Sequence, residues 1–417
     1  MAQLSDDCFA FGGPLMRLEQ AVALLRDRLA PAAGTEEVPL RAAAGRVLAA
    51  DLVAPIDVPA HDNSAVDGYA VRHADLAADA DTVLPLAGRV AAGDDPGAPP
   101  DSPCAVRIFT GAPMPVGFDT VMMQEDAVEE GGRVRLRPGL KRGANRRRAG
   151  EDVGRGSIAL PGGRRLRPQD VGLAAALGVT RLPVRAPLRV ALLSTGSELH
   201  EPGTVPGPGG IHDSNRYMLA ALLEGLGCAV TDLGILRDDP DAIGSALSAA
   251  AAGHDLILSS GGMSTGEEDH VKAAVERLGR LHFWRLAIKP GRPVAMGQVG
   301  RVPFVGLPGN PVAGMVTFLL LARPLVQHLQ GEAPSDPPRF PVRAAFDYRK
   351  KRDRREYVRV WLERAADGAL EARKFPRDGA GILSSLVAAD GLAELGEEVT
   401  SVAPGDMVAY LPLSSVI

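Results

Sequence analysis

Apolar positions in the first part of the chain follow two different patterns. Residues 15–29 repeat apolar side chains at helical spacing, and a second helix is predicted over residues 40–50. From residue 55 to about residue 148, short alternating runs such as residues 83–90 and 133–136 lie between Gly, Pro and Asp clusters. This stretch is therefore predicted to be a small all-β domain.

From residue 188 onward, short apolar runs alternate with longer amphipathic segments. Strands are predicted at residues 189–193, 229–235, 256–259, 282–286, 293–296 and 304–306. Helices are predicted at residues 214–226, 241–252, 270–277 and 312–329. Such alternation predicts a doubly wound, mostly parallel sheet with helices on both faces.

Two proline-rich segments flank this region. Residues 167–177 predict a capped helix, and the connection at residues 183–187 is predicted to be a domain boundary. After a second proline-rich segment, residues 334–341, the alternating runs at residues 357–362 and 407–411 predict a small β barrel or sandwich.

Composition and charge limit the number of domains, the kinds of partner and the cellular compartment that we expect for this protein. A chain of 417 residues predicts two to four domains, by typical domain sizes. The net charge of −5 gives no reason to expect nucleic acid or an anionic membrane as a partner. Three widely separated cysteines argue against a zinc site or a disulfide framework and favour a reducing cytoplasm. No secretory signal is visible, and residues 312–322 are too short to span a bilayer.

Four loops at predicted strand ends carry polar residues. They are residues 194–198, 237–240, 259–269 and 307–311. Ligands of parallel sheets bind where strand carboxyl ends and helix N-termini meet, so these loops predict a ligand crevice. In the third loop, glycines allow close approach to a phosphate, hydroxyls can donate hydrogen bonds, and the acidic residues 267–269 can hold a hard cation. Lys289, between two predicted strands, adds a cation for an anion.

Two segments of the predicted β domain are also rich in polar groups. Residues 61–70 contain Asp67-Gly68, and residues 108–115 contain Thr110-Gly111. A simple turn, in which Asp67 bonds its own backbone, is one reading of the first, and a turn is equally compatible with the second. The basic run at residues 141–148 is predicted to be a solvated loop.

With these residues in view, the chain resembles the molybdenum insertase family, the molybdopterin molybdenumtransferases known as MoeA, which include the E domain of gephyrin. Six strings carry the resemblance, in the family's order, and it extends over all but the N-terminal tail. They are NSAVDGYA (63–70), TGAPMP (110–115), STGSEL (194–199), SGGMSTGEED (260–269), KPGRP (289–293) and LPGNP (307–311).

The resemblance implies a multidomain α/β plus β fold. A MogA-like doubly wound domain (187–332) would be joined by an all-β insertion domain (55–148), a discontinuous linker domain (14–54 and 149–186) and a C-terminal β-barrel-like domain (333–417). Residues 1–13 would be a tail. The family forms homodimers.

The resemblance also implies a reaction. Molybdate is transferred into adenylated molybdopterin, AMP is released with the help of Mg²⁺, and molybdenum cofactor is formed. The pterin's dithiolene would hold the molybdenum, which agrees with the lack of a thiolate cluster in the chain. Other enzymes of molybdenum cofactor biosynthesis would be partners. Two alternatives remain open: a molybdopterin adenylyltransferase, whose fold resembles residues 188–331 alone, and a non-catalytic scaffold of the gephyrin type.

Site residues carry over position by position. Glu198, Asp238 and Asp269 match the family's acidic residues and would hold Mg²⁺, while Lys289 would balance phosphate or molybdate charge. Asp67 and Thr110 match residues that the partner subunit presents to the same crevice. Substrate-binding positions are Gly261, Gly262, Ser264, Gly266, Arg285, Pro308, Gly309, Asn310 and Arg359.

Three positions depart from the family pattern. Arg285 stands where some members have lysine, Val66 where methionine is usual, and Ala380 where a serine often lies in the oxyanion-binding loop. Arg359 matches the arginine that holds the oxyanion. Backbone N–H groups of residues 379–381, or Ser384, are alternatives for the missing serine.

Overall fold

A computed structural model describes residues 15–237, 239–261 and 270–417, with the side chain of Phe283 left out. The N-terminal tail, Asp238 and residues 262–269 therefore lie outside the described residues. The helices are α1 (Leu18–Arg28), α2 (Pro168–Ala176), α3 (Asn215–Gly225), α4 (Pro240–Gly253), α5 (His270–Leu278), α6 (Pro311–Thr317), α7 (Arg323–Leu329) and α8 (Ser384–Val387).

The strands follow the chain as β1 (Thr35–Pro39), β2 (Leu52–Val53), β3 (Asn63–Ser64), β4 (Gly68–Val71), β5 (Thr82–Val90), β6 (Ala105–Ile108), β7 (Thr120–Met123), β8 (Ala127–Glu130), β9 (Arg133–Leu136), β10 (Arg146–Arg147), β11 (Ile158–Leu160), β12 (Arg181–Arg185), β13 (Arg189–Thr195), β14 (Leu199–His200), β15 (Ile211–His212), β16 (Ala229–Leu236), β17 (Leu256–Ser260), β18 (Gly279–Arg285), β19 (Ile288–Lys289), β20 (Pro293–Val299), β21 (Val302–Leu307), β22 (Phe340–Ala344), β23 (Tyr348–Arg349), β24 (Arg355–Arg364), β25 (Leu370–Lys374), β26 (Gly391–Leu395), β27 (Ser401–Val402) and β28 (Met407–Pro412).

The chain divides into two compact units. Unit 1 contains the residues up to Glu36, Gly45–Ala49 and Pro183–Ile417, and unit 2 contains Glu37–Ala44 and Ala50–Leu182. The finer division into four domains stays a prediction.

Unit 1 contains the predicted doubly wound sheet. Its strand order is β16-β13-β17-β21-β20-β18, and only β20 is antiparallel to its neighbours. Helices α4 and α5 bury apolar residues against one face, whereas α1, α3, α6 and α7 cover the other. Two-sided burial explains why these strands are runs of apolar residues rather than alternating ones.

The helix from Pro311 to Leu329 changes its winding in the middle. Residues Phe318–Ala322 form a π-helical turn just before Pro324. Proline lacks an N–H group and its ring clashes with the carbonyl four residues earlier, so the wider turn accommodates it. This is the one described helix long and apolar enough to cross a membrane, and 83% of its most apolar window is buried inside the protein.

Unit 1 also contains a closed five-stranded barrel, which confirms the predicted C-terminal β-barrel-like domain. Its strands run in the order β24-β25-β22-β28-β26, and β26 pairs back to β24. The short strand β19, which contains Lys289, adds to β24 in parallel and so joins the sheet domain to the barrel. Barrel residues Tyr357, Leu392 and Leu411 belong to the same apolar core as the sheet.

Unit 2 contains the predicted all-β insertion. Its sheet has the order β7-β4-β6-β5-β9-β8, and both faces carry a small apolar core. The two separate segments assigned to the linker domain also meet, because β2 pairs with β11.

Some local predictions are wrong. Residues 40–50 form a single 3-10 turn, Leu40–Ala42, and not a helix, because Gly45 takes a positive φ of 78° that ends any helical path. The proline-rich segment at residues 183–187 is partly strand, since β12 continues to Arg185. Part of the basic run is also strand, because β10 pairs with Asn63–Ser64.

Candidate functional site

The carboxyl ends of the central strands β13, β17 and β21 of unit 1 are in register along one edge of the sheet. Ser194 of β13 is paired with Ser260 of β17, and Ser260 with Leu307 of β21. The loops that follow are tightly packed: a Cβ on Gly261, whose φ is +81°, would lie 2.8 Å from the carbonyl oxygen of Thr195. A Cβ on Gly309 would lie 3.7 Å from the Cα of Gly261. The described parts of the loops after β13, β17 and β21 therefore meet as predicted, whereas the loop that contains Asp238 stays a prediction.

A test of this close packing is the Gly261→Ala variant. The added methyl group clashes with a backbone oxygen and the positive φ is strained, so we expect the free energy of unfolding to fall by about 2 kcal/mol. Gly253→Ala is the matched control, because a Cβ there meets nothing within 4 Å. Urea denaturation measures both, and equal stabilities of the two variants would contradict the close approach.

The acidic side of the predicted site is only partly described. Asp238, Asp269, Gly262, Ser264 and Gly266 lie outside the described residues. Glu198 is exposed on this same edge, with its carboxylate folded toward Gly196, where a Cβ would lie 2.6 Å from Oε2. No group of three or more potential metal ligands occurs among the residues that the structure describes.

Three buried polar atoms at this edge point to a ligand. In the described parts of the chain, Ser194 Oγ, Thr195 Oγ1 and Asn215 Oδ1 have no hydrogen-bond partner. Asn215 Nδ2 donates to Ser260 Oγ at 2.9 Å and to the Gly309 carbonyl at 2.7 Å, which fixes the side chain between two loops. Buried polar groups without partners cost free energy unless a bound molecule satisfies them. Sequence reasoning missed Asn215, whose only signal was its place at the start of a predicted helix.

A buried arginine fixes the segment that carries Glu198. Arg216 contacts Asp213, Asp232 and Glu201, and the Nε to Asp213 Oδ2 distance is 3.0 Å. Burial opposes the charged form, but these three carboxylates outweigh it and raise the pKa of Arg216. The Ile211 N–H donates to the carbonyl of Glu198 at 2.8 Å. The anchored segment thus holds the Glu198 backbone in place.

A cavity of about 350 Å³ lies between the sheet loops and the barrel. Its cations are Lys289, Arg292, Arg354 and Arg359, and Pro308, Asn310, Tyr348, Asp378 and Ala380 also line it. Lys289 Nζ is 3.2 Å from Glu356 Oε2, while Arg354 is 2.6 Å from Oε1 of the same buried carboxylate. Four cations against two carboxylates, Glu356 and Asp378, make this cavity suited to an anion.

Of these four cations, Arg359 is the buried one. It is 8% exposed, and its Nε donates to Ser385 Oγ at 3.1 Å and its Nη2 to the Gly379 carbonyl at 3.2 Å. In the described part of the chain no carboxylate pairs with it, because Asp378 is bound by Lys374 at 2.8 Å. Burial lowers the pKa of Arg359, and the nearby negative charge of Asp378 partly offsets this. A bound oxyanion would complete the set of partners.

The loop at Ala380 presents carbonyl groups to its described neighbours. Gly379 accepts from Arg359, and Ala380 accepts from the N–H of Val312 at the start of α6. The serine that contacts Arg359 is Ser385, which the sequence analysis did not single out, and not Ser384. Arg285 is exposed at the carboxyl end of β18.

Asp67 and Thr110 are brought together in unit 2. Asp67 Oδ1 accepts from both the N–H and the hydroxyl of Thr110, each at 2.8 Å. These hydrogen bonds, from the backbone first and then the hydroxyl, lower the pKa of Asp67. The reading of Asp67-Gly68 as a turn is wrong, since Gly68 begins β4 and lies so close to β7 that a Cβ would be 1.9 Å from the Met122 carbonyl oxygen. Thr110-Gly111 is a turn, with Gly111 at φ 79°.

Comparisons with known proteins give one consistent result. Residues 16–178 match the MoeA N-terminal region (domain I and II), residues 191–328 a probable molybdopterin binding domain, and residues 341–413 the MoeA C-terminal region (domain IV). The chain is 38% identical over 405 residues to a molybdopterin molybdenumtransferase of Haemophilus influenzae, covering 97% of this chain and 100% of that protein.

Two further relatives agree. A molybdopterin molybdenumtransferase of Nostoc sp. is 36% identical over 390 residues, covering 91% of this chain and 89% of the relative. A crystal structure of the molybdopterin biosynthesis moeA protein from Pyrococcus horikoshii superposes with a TM-score of 0.81 at 31% identity, covering 96% of this chain and 100% of that one.

Proposed function

Because this chain belongs to the molybdopterin molybdenumtransferase family, whose members transfer molybdenum in cofactor biosynthesis, we propose that it inserts molybdate into adenylated molybdopterin and releases AMP. The observation that carries the proposal is the cationic cavity beside the strand-end loops, in which the buried Arg359 has no carboxylate partner among the described residues. Molybdate is a tetrahedral dianion, and Arg359 with Lys289 supplies two positive charges for it.

The pterin nucleotide occupies the neighbouring strand-end crevice in this proposal. Ser194, Thr195 and Asn215 offer buried polar atoms that have no partner among the described residues. Gly261 and Gly309 let the strand-end loops pack closely beside these atoms. Gly262, Ser264 and Gly266 complete the phosphate cradle, and Arg285 and Pro308 border it. Asn310 and Pro308 also line the cationic cavity, so the two ligands would meet there.

Carboxylates form the third part of the proposed site. Glu198 lies at the crevice edge after β13. In the sequence, Asp238 follows β16 and Asp269 follows β17, the strands on either side of β13. Carboxylate oxygens are suitable Mg²⁺ ligands, and Mg²⁺ when bound supplies positive charge against the two linked phosphates. Water attacks the phosphoanhydride, so that the pterin keeps its own phosphate and AMP is the leaving group. The two dithiolene sulfurs then bind molybdenum in place of one molybdate oxygen, which leaves as water with the two thiol protons, and molybdenum keeps its oxidation state.

Asp67 and Thr110 enter the crevice of the partner subunit in a homodimer. Their paired hydrogen bonds keep the Asp67 carboxylate ionised and oriented, which suits a group that must act on a substrate held elsewhere. The enzyme works in the cytoplasm, alongside other enzymes of molybdenum cofactor biosynthesis that provide its substrate.

The test is an assay of purified protein with adenylated molybdopterin, Mg²⁺ and molybdate. We expect AMP and molybdenum cofactor to appear in equal amounts, and AMP release to depend on molybdate. Free molybdopterin with ATP is the control substrate. Adenylation of that substrate without insertion would instead favour the adenylyltransferase, and inactivity in both assays would favour a scaffold.

A further inference from the structure

Two arginines lie side by side on the sheet of unit 2. Arg89 of β5 and Arg107 of β6 are directly paired in register, and neighbouring strands are about 5 Å apart. Other arginines nearby form ion pairs, such as Arg72 with Asp75 and Arg142 with Asp119. Throughout the described residues, neither Arg89 nor Arg107 has a carboxylate within ion-pair distance. Like charges paired across strands are destabilising, so this pair calls for a shared anion.

An aromatic ring holds both guanidinium groups. The Cζ of Arg89 lies 4.7 Å from the centre of the Phe109 ring, and that of Arg107 lies 5.1 Å from the same ring. Arg107 also stacks on Tyr69 at 4.8 Å and donates to Gln124 Oε1 at 2.5 Å. Cation–π contacts fix the two cations in place without neutralising them. We call Arg89, Arg107 and Phe109 the arginine shelf.

The arginine shelf adjoins the proposed catalytic pair. Phe109 directly precedes Thr110, which binds Asp67 through both its N–H and its hydroxyl. In addition, β6 pairs with β4 so that Arg107 lies opposite Tyr69, two residues after Asp67. The positive charge of Arg107 is also one of the causes that lower the pKa of Asp67. Any substrate group that reaches Asp67 therefore comes close to the arginine shelf.

We propose that the arginine shelf binds the phosphate groups of the adenylated pterin, which goes beyond the roles assigned above and rests on the proposed function. Guanidinium groups match phosphate oxygens in geometry and charge, and two of them balance a dianion. In the homodimer proposed above, Asp67 enters the partner subunit's crevice, which holds the pterin nucleotide. The linked phosphates are therefore the anion that the arginine shelf would meet there, in addition to the cradle of that crevice. Asp67 then faces phosphates whose charge the shelf has balanced.

The experiment is calorimetric titration of the full-length protein with AMP and, separately, with pyrophosphate. The Arg89→Gln variant removes one guanidinium from an exposed position, and we expect the dissociation constant to rise about tenfold or more. Arg89→Lys keeps the positive charge but loses the paired N–H donors of the guanidinium group, so we expect a smaller rise in the dissociation constant. Arg135→Gln is the control with the same charge change. Its neighbours Val134 and Leu136 are buried in the core on the side of Tyr69, so Arg135 points to the opposite face.

Equal weakening in Arg89→Gln and Arg135→Gln, or no weakening in either, would overturn the shelf as a phosphate site. A changed dimer dissociation constant in Arg89→Gln with unchanged AMP affinity would also overturn it, in favour of carboxylates on a second copy of the chain. These titrations contain no pterin or molybdate. Weaker AMP binding in Arg89→Gln but not in Arg135→Gln therefore supports the arginine shelf, even if the enzyme does not insert molybdate. If Arg89→Gln instead releases AMP at the normal rate and binds AMP with unchanged affinity, the arginine shelf is refuted while the proposed function stands.

Discussion

The Asp67→Asn homodimer is expected to release AMP about 100-fold more slowly than the unsubstituted enzyme, or slower still. Asparagine keeps an oxygen that can accept from the N–H and hydroxyl of Thr110, as Asp67 Oδ1 does at 2.8 Å. The local structure is therefore retained and the loss reports the missing charge. Steady-state AMP release measures it. Asp126→Asn, an exposed carboxylate of the same unit, is the control and should keep full activity.

Mixed dimers separate a shared site from a site within one subunit. A heterodimer of an Asp67→Asn subunit with a Glu198→Gln subunit would have one site with both changes and one site with neither. We expect it to recover about half of the activity of the unsubstituted dimer. Heterodimers as inactive as the two variant homodimers would place Asp67 and Glu198 of one subunit in the same site. Full activity of Asp67→Asn would leave Asp67 as a residue that only fixes the Thr110 turn.

The Arg359→Gln variant is expected to need about 30-fold to 100-fold more molybdate for half-maximal insertion, the effect of losing a charged hydrogen bond of about 2–3 kcal/mol. Activity should largely return at saturating molybdate, because pterin binding lies in the neighbouring crevice. Initial rates over a molybdate series measure the change. Among the described residues, the Arg359 side chain donates hydrogen bonds to Ser385 Oγ and the Gly379 carbonyl. Glutamine can still donate a hydrogen bond, so little loss of fold is expected.

Arg364→Gln is the matched control for this experiment. Arg364 lies at the exposed end of the same strand, β24, and donates to the Gly368 carbonyl at 3.0 Å. Its loss should leave the molybdate dependence unchanged. An unchanged molybdate dependence in Arg359→Gln would remove the oxyanion from this cavity, and a lower maximal rate with normal molybdate affinity would assign Arg359 to the chemical step.

Much of the fold could be predicted from local pattern. The strand at residues 133–136 was predicted with its observed bounds, and the strands of the doubly wound sheet were found within a few residues. Where a predicted element is wrong, the cause is a local backbone or burial effect that the hydrophobic pattern does not show. The predicted helix at residues 40–50 contains mostly good helix formers, but Leu48 pairs with Val184 in an isolated β-bridge, and Val47 and Leu48 are 3% and 0% exposed. Their burial, together with the backbone of Gly45, favours an irregular path over helix propensity.

The candidate site was predicted less completely than the fold. Glycine and proline strings marked the strand-end loops, because close packing there excludes side chains, as at Gly261. Asn215 and Ser385 were missed because each is an ordinary residue within a helix and gains its role only from partners far along the chain. The partners of Asn215 are 45 and 94 residues away, and Ser385 is 26 residues from Arg359.

The order of residues was enough to predict the alternation of strands and helices, the glycine-rich loops and the residue types that anions and Mg²⁺ prefer. Periodicity and turn chemistry are local properties, so they can be read without coordinates. Coordinates were needed to show that Lys289 joins the barrel through β19, that Arg359 lines the same cavity as Lys289, and that Asp67 accepts hydrogen bonds from Thr110. Strand register and side-chain packing bring these residues together. Both depend on contacts between distant parts of the chain and cannot be predicted from one segment alone.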